Sequence, residues 1–340
     1  MGKEVNVAVV GACGMVGSEM IRTLERRNFP VKSLRPLDVK ANEGKKVLFR
    51  GDEVEVLEAR RDNFAGIDIA IFSAGGDASL KLAPEAVEMG AVVVDNSSAW
   101  RMNDECPLVV PEVNPEDLRK HKGIIANPNC STIQMVVTLK PLHDAGKVKR
   151  IVVSTYQAVS GSGVKAYAGL KEEAAEYLDT MKPVTPRSYG KQIAFNCLPH
   201  IDVFQEGGYT KEEYKMVNET RKIIGDDSIR VTATCVRVPV WYGHSESVNV
   251  ETEKKISADE ARELLRKAPS IIVMDDPAKE EYPVPLYSNE EDETMVGRIR
   301  EDYSIENGLN LWIVSNNIRK GAALNAVQIA EKLLEMELVG

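Results

Sequence analysis

The chain has 340 residues, of which 43% are hydrophobic and 28% are charged, and its formal net charge is -9. This length and composition are typical of a globular protein with two domains, or with one large domain and an extra lobe. The negative balance argues against a nucleic-acid or anionic-membrane surface. No apolar run approaches the roughly 18 residues that a membrane-spanning helix needs, so we expect no membrane segment.

The cysteine pattern indicates a reducing environment. An odd number at irregular spacing, without a Cys-x-x-Cys pair, is typical of a reduced intracellular protein, so we expect a cytoplasmic location. The chain has only four histidines, which argues against a histidine-rich metal site, and we expect no bound metal. The five cysteines are Cys13, Cys106, Cys130, Cys197 and Cys235.

The first 125 residues or so alternate between strand and helix patterns. The apolar run at 5–10 is too short for a signal-peptide core and leads into a glycine turn, so we interpret it as a strand. Alternation of this kind predicts an α/β domain with a doubly wound parallel sheet of the Rossmann type. The predicted strands are 5–10, 31–37, 47–49, 54–57, 67–72, 91–94 and 124–126, and the predicted helices are 15–27 and 78–89.

The pattern changes after residue 130, where long strand runs are followed by helices. This predicts a second, α+β catalytic and dimerisation domain on a large mixed sheet, mostly antiparallel. Ser257 and Glu260 form a capping-box pattern at the start of one helix, and 181–192 and 275–292 are expected to be surface loops. The predicted helices are 131–139, 165–178, 211–224, 257–267 and 322–336, and the predicted strands are 148–158, 229–240, 245–253 and 309–314.

We expect the last helix to pack back onto the nucleotide-binding domain. That domain would therefore be discontinuous, with residues 1–128 and 321–340, and the second domain would comprise 129–320. Limits predicted in this way carry errors of several residues.

A glycine-rich turn joins the first strand to the first helix. Gly11, Gly14 and Gly17 have the spacing G-x-x-G-x-x-G, which lets backbone N–H groups approach a pyrophosphate. The alternative is a tight turn without a ligand. Gly75 follows a later strand at a position that faces the same cleft. Asp38, at the end of the second strand, would bind a ribose hydroxyl and favour NAD.

Lysines close to Asp38 leave the choice of cofactor open. Lys40, Lys45 and Lys46 follow the second strand and could instead hold the 2′-phosphate of NADP. Spacing by itself does not decide between the two.

Cys130 lies in Asn-Pro-Asn-Cys-Ser-Thr, between a strand-like run and an apolar helix pattern. A sulfur near the N-terminus of a helix is favoured as a thiolate, which is a nucleophile. The alternative is a small buried hydrophobic residue, the usual role of a cysteine. The polar turn favours the nucleophile, because a buried helix face has no need of that sequence.

Polar residues elsewhere in the second domain are candidates for the same site. His244 follows Gly243 at a strand junction and could act as acid and base, or be only a hydrogen-bonded turn residue. Arg237 could bind a substrate carboxylate or lie at the surface, and Gln157 could be a site residue or a core group. Glu219 and Lys222 share a helix face, and by themselves they are interpreted as a solvated ion pair.

The chain resembles the aspartate-β-semialdehyde dehydrogenase family from its first strand to its last helix. The matching motifs occur in the family's order, which makes the resemblance specific. They are the glycine turn 11–17, VDNSSAWR at 94–101, VPEVN at 110–114, NPNCST at 127–132, QAVSG at 157–161, RVP at 237–239, GHSE at 243–246 and RKGAALN at 319–325.

The resemblance implies a role for each matching residue. Cys130 would be the nucleophile, His244 the acid/base and Gln157 the residue that orients the acyl intermediate. Asn129 would be a neighbouring hydrogen-bonding group. Arg237 and Glu219 would bind the substrate carboxylate and amino group, and Arg101 and Lys222 the phosphate. The cofactor-binding residues would be Gly11, Ala12, Cys13, Gly14, Met15, Val16, Asp38, Gly75, Ser160, Gly161 and Asn317.

The family reduces L-aspartyl phosphate with NADPH to L-aspartate 4-semialdehyde and phosphate, on the shared route to lysine, methionine and threonine. The resemblance therefore implies this oxidoreductase activity, a small-molecule substrate and a homodimer. One segment departs from the family. Asp38-Val39-Lys40-Ala41-Asn42 stands where a Ser and an Arg-Ser pair usually contact the 2′-phosphate, so we expect NADP with appreciable use of NAD.

Two rival interpretations remain. N-acetyl-γ-glutamyl-phosphate reductase shares the Cys/His chemistry, but its cysteine turn typically reads Asn-Pro-Gly-Cys-Tyr. A catalytically inactive nucleotide-binding sensor is the other, although such a protein would have no physical need to retain Cys130, His244, Gln157 and Arg237 together.

Overall fold

The computed structural model describes residues 4–339. These residues form two compact units, one made of the chain up to Asn129 together with the chain from Ala322 onward, and the other of Cys130–Gly321. Residues 1–3 and 340, which we assign to the first domain, lie outside the described part.

The secondary structure alternates first and then becomes rich in long strands. The helices are α1 (Met15–Arg26), α2 (Gly76–Glu88), α3 (Cys130–Gly146), α4 (Val164–Thr180), α5 (Lys211–Ile224), α6 (Ala258–Lys267) and α7 (Leu324–Glu335). The strands are β1 (Val5–Val10), β2 (Val31–Asp38), β3 (Lys46–Phe49), β4 (Asp52–Glu55), β5 (Leu57–Glu58), β6 (Ile69–Phe72), β7 (Val92–Asp95), β8 (Ile124–Ala126), β9 (Val148–Gln157), β10 (Arg230–Arg237), β11 (His244–Thr252), β12 (Ile271–Val273), β13 (Thr294–Asp302) and β14 (Gly308–Ser315).

The first unit contains a parallel sheet with the strand order β5-β2-β1-β6-β7-β8. The order reverses between β1 and β6, so a crevice opens at the carboxyl ends of these strands, where doubly wound proteins bind nucleotides. The predicted doubly wound parallel sheet is confirmed. β3 and β4 form a separate antiparallel pair.

Alternate residues of β1 enter two different cores, which explains why this strand is apolar at every position except Asn6. Val5, Val7 and Val9 pack with residues of α1 and α7, while Ala8 and Val10 pack with residues of α2. A parallel sheet covered on both faces by helices favours such a nearly continuous apolar run.

The second unit contains a mixed sheet with the order β10-β9-β11-β14-β13-β12. β9–β11, β11–β14 and β13–β14 pair antiparallel, whereas β9–β10 and β12–β13 pair parallel. The mixed sheet agrees with the prediction, but β12 and β13 are absent from the predicted strands. β12 has three residues, and β13 is interrupted by a register shift between Gly297 and Arg300, so neither has a clear local pattern.

Several boundaries also differ from the predictions. The strand predicted at 229–240 ends at Arg237, since Pro239 has no N–H for a ladder. The helix predicted at 131–139 begins one residue earlier, at Cys130, and continues to Gly146 through Pro141. The helix predicted at 322–336 begins at Leu324, after a π-helical turn at Arg319–Ala323.

α3 is buried nearly all around over residues 131–139, rather than on a single face. It packs against β9, β11, β13 and β14 of the sheet and also against α5 and α6. α3 is therefore packed on several sides.

Candidate active site

In the first unit, the glycine turn borders a cleft of about 450 Å³. Gly11 has a φ of +83°, and a Cβ there would lie 2.4 Å from the carbonyl oxygen of Ser73. A Cβ on Gly17 would lie 2.0 Å from the carbonyl oxygen of Gly11. Both positions exclude a side chain, so the helix packs tightly on the strand and the backbone borders the cleft directly.

Four of the predicted cofactor-binding residues line this cleft, namely Gly11, Cys13, Gly14 and Asp38. Ala12, Met15, Val16 and Gly75 adjoin these lining residues in the chain. Ala12 is fully buried, Met15 and Val16 begin α1, and Gly75 precedes α2, where an added Cβ would meet open space.

Asp38 holds the glycine turn in place. Its Oδ2 accepts a hydrogen bond from the backbone N–H of Cys13, and its Oδ1 accepts from the N–H of Val39 and from Nδ2 of Asn42, each at 2.8 Å. A carboxylate has about four acceptor positions, so roughly one remains for a ligand hydroxyl.

The lysines near Asp38 already interact with neighbours. Lys40 forms an ion pair with Glu43 and lies 3.8 Å from Glu58. Lys45 donates to Oδ1 of Asn42 at 2.7 Å. Lys46 pairs with Glu53 in the β3–β4 hairpin. The cleft therefore combines the Asp38 carboxylate with lysine charges that are partly neutralised, which suits a ribose hydroxyl at least as well as a phosphate.

Arg101 and Asn129 also belong to the first unit. The buried Arg101 donates from Nε to the carbonyl oxygen of Asn127 at 3.0 Å, and from Nη2 to that of Asn96 at 2.8 Å. Asn129 is buried and immediately precedes α3. These bonds tie Arg101 to the polar turn that leads to Cys130.

In the second unit, Cys130 is the first residue of α3 and is partly exposed. A Cβ on Gly321 would lie 2.8 Å from the Cβ of Cys130. The N–H of Gly321 donates to the carbonyl oxygen of Asn316 at 3.1 Å, and the preceding Ser315 pairs with His244 across β14 and β11. Cys130 therefore lies at the end of the sheet that carries His244, at a helix N-terminus that favours a thiolate.

His244 is fully buried at the start of β11. Its Nδ1 accepts a hydrogen bond from the backbone N–H of Ala158 at 3.0 Å, which assigns the proton of the neutral ring to Nε2. Burial, followed by the charge of Arg237, lowers the pKa of His244 to about 3, although Glu212 opposes this shift. The imidazole is therefore neutral near pH 7.

Arg237 shares a space with His244 that Gly161 leaves open. A Cβ on Gly161 would lie 3.2 Å from Nη1 of Arg237 and 3.4 Å from Nε2 of His244. Nη1 donates to the carbonyl oxygen of Ala158 at 2.7 Å, while the buried Nε of Arg237 and Nε2 of His244 have no hydrogen-bond partner within residues 4–339. Buried donors of this kind are normally satisfied, so these two groups are available to a ligand.

Gln157 ends β9 beside this space and is buried. Its Oε1 accepts from Oγ1 of Thr155 at 3.0 Å, and its Nε2 donates to Oε1 of Glu212 at 3.1 Å. The amide is therefore held in one orientation, which is what the alignment of a reacting acyl group requires.

Ser160 and Asn317 stabilise the turn before His244 through hydrogen bonds. Nδ2 of Asn317 donates to Oγ of Ser160 at 3.0 Å, and its Oδ1 accepts from the N–H of Gly243 at 3.0 Å. The structure thus brings Ser160, Gly161 and Asn317, which were predicted to bind the cofactor, next to the predicted acid/base.

Glu219 and Lys222 lie on α5, where Glu219 is buried and Lys222 is partly exposed. Met216, one turn before Glu219, contacts α3 because Oγ1 of Thr132 lies 3.6 Å from its sulfur. This contact directs the helix face with Met216 and Glu219 towards the first turn of α3, two residues beyond Cys130.

Tyr189, Thr155 and Glu212 adjoin the predicted residues but were not predicted themselves. The Tyr189 ring centroid lies 5.8 Å from the Arg237 guanidinium, and its hydroxyl donates to Oγ of Ser162 at 3.0 Å. Tyr189 comes from the segment 181–192, and no local signal distinguishes it there. Thr155 could have been found, because it precedes Gln157 by two residues and so shares its strand face.

Residues 4–339 contain neither a candidate metal-binding cluster nor a membrane-spanning helix. In that range no group of three or more His, Cys, Asp or Glu side chains is arranged to hold a metal ion. None of the helices there has the length and apolar character needed to cross a bilayer.

Known proteins match this chain over almost its whole length. The family model "Semialdehyde dehydrogenase, NAD binding domain" matches residues 6–121, and "Semialdehyde dehydrogenase, dimerisation domain" matches 139–320. Aspartate-semialdehyde dehydrogenase of Aquifex aeolicus is 56% identical over 98% of this chain and 99% of its own. The enzyme of Bacillus subtilis is 49% identical over 100% of both chains.

The structural comparison agrees. Aspartate semialdehyde dehydrogenase II of Vibrio cholerae superimposes with a TM-score of 0.95 at 47% identity, over 98% of this chain and 99% of that one. The matches cover both units. The chain therefore belongs to the aspartate-semialdehyde dehydrogenase family of oxidoreductases, which bind a nicotinamide cofactor in a domain of Rossmann type.

Proposed function

We propose that this protein catalyses the NADP(H)-dependent reductive dephosphorylation of L-aspartyl phosphate to L-aspartate 4-semialdehyde and phosphate, through a thioester on Cys130. The observation that carries the proposal is the pair of buried, unpartnered donors, Nε of Arg237 and Nε2 of His244, beside the space that Gly161 leaves open. One donor suits a substrate carboxylate and the other a carbonyl oxygen that develops negative charge. The reaction would serve lysine, diaminopimelate, methionine, threonine and isoleucine biosynthesis.

Cys130 would act as the nucleophile. Its thiolate attacks the acyl carbon of aspartyl phosphate, a C–S bond forms, and the C–O bond to phosphate breaks with its electron pair leaving on phosphate. Its place as the first residue of α3 supports this role, because the helix N-terminus stabilises negative charge on sulfur. Asn129 and Gln157 would orient the acyl oxygen.

His244 would assist as a neutral hydrogen-bond donor. Its lone pair at Nδ1 is occupied by the N–H of Ala158, so the group available to substrate is Nε2–H. This N–H would donate to the oxyanion of each tetrahedral species on Cys130, including the thiohemiacetal that collapses to the aldehyde. Because the lone pair at Nδ1 is occupied and Nε2 carries the proton, the ring of the resting enzyme is set to donate a hydrogen bond rather than to abstract a proton.

Charged side chains would hold the substrate. Arg237 would bind the α-carboxylate through Nε and Nη2, since its Nη1 is already anchored by Ala158. Glu219 would bind the amino group, and Arg101 and Lys222 the phosphate. A homologue from Vibrio cholerae has been solved in complex with ASA, which supports a small amino-acid aldehyde as ligand.

The cofactor would bind at the glycine turn, with the pyrophosphate near Gly11–Val16 and the ribose near Asp38. When bound, the nicotinamide would supply the hydride that reduces the thioester. A homologue from Candida albicans was solved with NADP. We infer that this chain also uses NAD, because the Asp38 carboxylate adjoins the ribose position and the Arg-Ser pair is absent.

We also infer a cytoplasmic homodimer. None of the five cysteines forms a disulfide, which supports a reducing compartment. The matched dimerisation domain includes a sheet face with the exposed Tyr156, whose ring is tilted against that of Trp312 with the centroids 5.5 Å apart. Sedimentation of wild type and Tyr156→Glu should give a dimer for the former and a monomer for the latter; a monomeric wild type would refute this assembly.

The decisive experiment is phosphate-dependent reduction of NADP and NAD by aspartate semialdehyde. Wild type should turn over both cofactors, and Cys130→Ser should retain cofactor binding but lose turnover. Cys197→Ser is the matched control, because Cys197 is exposed in the same unit, and it should stay active. An active Cys130→Ser variant would exclude the thioester route.

Two further measurements test the alternative reductase activity and the choice of cofactor. The semialdehyde of N-acetylglutamate should not be a substrate. A preference for NADP above about a thousandfold in kcat/KM, roughly 4 kcal/mol, would refute the use of both cofactors.

A further inference from the structure

Glu212 is a buried carboxylate to which the family resemblance assigns no role. It lies in the first turn of α5 and is only 5% exposed. Acidic residues are common at this position because they interact well with the positive end of the helix. Its side chain, however, takes part in a connected set of polar contacts that ends at Gln157.

These contacts run from the surface to the amide of Gln157. Oε2 of Glu212 accepts from Nζ of Lys215 at 2.9 Å, and the same Nζ donates to Asp202 at 2.9 Å. Burial works to lower the pKa of Lys215, but the charge of Glu212 and the hydrogen bond to Asp202 outweigh it and raise that pKa. Lys215 therefore remains a cation, and its ammonium forms an ion pair with Oε2 of Glu212 that fixes this side chain.

An ionised carboxylate accepts hydrogen bonds and cannot donate them. The atom of the Gln157 amide that faces Glu212 must therefore be Nε2, and Oε1 must face the hydroxyl of Thr155. A rotation of the amide by 180° would place two acceptors against each other in a buried site. Glu212 thus determines which end of Gln157 donates and which accepts.

We propose that Glu212 is a positioning residue for the reaction, which acts by fixing the donor and acceptor ends of the Gln157 amide. This inference rests on the proposed function, in which Gln157 orients the acyl group bound to Cys130. A glutamine at position 212 would both donate and accept, so the Gln157 amide would populate both orientations and only one would align the acyl oxygen.

Glu213 provides a matched control in the same helical turn. It is 8% exposed, and its two oxygens accept from the backbone N–H groups of Thr210 at 2.7 Å and Cys235 at 3.1 Å. Glu213→Gln removes a buried charge from the same turn without touching Gln157. Any loss that results only from a destabilised α5 would appear in both variants.

The experiment is a double-mutant cycle on kcat with Glu212→Gln, Gln157→Ala and the double variant, in the phosphate-dependent assay. We expect Glu212→Gln to lower kcat at least tenfold, with a change in KM below threefold, and the double variant to be no slower than Gln157→Ala. Glu213→Gln should keep kcat within threefold of wild type. Thermal denaturation of each variant reports on folding.

Two outcomes would overturn the proposal: a kcat for Glu212→Gln within twofold of wild type, or losses that multiply in the double variant. Should Glu212→Gln fail to fold, Lys215→Met carries the same test. It is expected to lower kcat severalfold in the wild-type background and not at all in the Gln157→Ala background. A fully active Gln157→Ala would instead refute the role of Gln157 in the proposed function, which separates the two failures.

Discussion

The backbone N–H of Ala158 donates a hydrogen bond to Nδ1 of His244 at 3.0 Å, across 86 residues of sequence. Because this bond occupies the only lone pair of the neutral ring, the face towards Gly161 presents an N–H group. The same residue, Ala158, accepts from Nη1 of Arg237 through its carbonyl oxygen. The backbone of Ala158 thus orients both His244 and Arg237.

The pH dependence of stability should reflect the buried neutral imidazole. The folded pKa of His244 is about 3, below the unfolded value near 6.5, so the unfolded chain binds the extra proton between these values. Stability is therefore lost as the pH falls below about 6.5. When the pH falls from 7.5 to 5, we expect protonation of His244 in the unfolded chain to lower the free energy of unfolding by about 2 kcal/mol.

Urea unfolding of wild type and His244→Gln at both pH values checks this. The wild type should lose about 2 kcal/mol more than the variant over that interval, and His200→Gln, at an exposed histidine, serves as the control. Equal losses in wild type and His244→Gln would mean that the folded protein holds an imidazolium.

Gly161→Ala should impair catalysis with little effect on the fold. The new methyl group would lie 3.2 Å from Nη1 of Arg237 and 3.4 Å from the imidazole, in the space assigned to substrate. We expect kcat/KM to fall at least tenfold, about 1.4 kcal/mol, with the free energy of unfolding changed by less than about 1 kcal/mol. Gly190→Ala, which has open space around it, should behave like wild type. An unchanged kcat/KM in Gly161→Ala would place the substrate elsewhere.

Asp38→Asn should shift the choice of cofactor towards NADP. It removes a negative charge beside the ribose position but keeps the side-chain shape, so that a 2′-phosphate is repelled less. The ratio of kcat/KM for NADP to that for NAD should rise about tenfold, or about 1.4 kcal/mol. Asp52→Asn, in the β3–β4 hairpin, controls for net charge. A ratio that stays constant would show that Asp38 does not contact the ribose.

Tyr189→Leu should weaken substrate binding through Arg237. The ring stacks near the guanidinium and its hydroxyl is anchored on Ser162, so its removal leaves Arg237 less ordered. We expect the KM for aspartate semialdehyde to rise roughly tenfold, consistent with about 1–2 kcal/mol for a desolvated cation–π contact. Tyr189→Phe retains the ring and should change KM by less than threefold. A change in KM of more than threefold in Tyr189→Phe would show that the hydroxyl, rather than the ring, orders Arg237.

Sequence patterns correctly predicted the strands and helices that depend on apolar periodicity and side-chain capping. The strand at 5–10 and the helix at 211–224 match β1 and α5 at both ends, and the capping box of Ser257 and Glu260 is present. Apolar periodicity and side-chain capping need only neighbouring residues. β13 was missed because its pairing with β14 is set by tertiary contact and interrupted near Gly297.

The sequence by itself determined the doubly wound first unit, the glycine turn and the residue types that the chemistry needs, because spacing and composition carry that information within short windows. Only the tertiary structure decided the tautomer of His244, the unpartnered Nε of Arg237 and the hydrogen bond from Gln157 to Glu212. These depend on which backbone and side-chain atoms meet across 55–86 residues of chain. Burial then sets the strength of each contact, and burial is a property of the packed chain rather than of any local pattern.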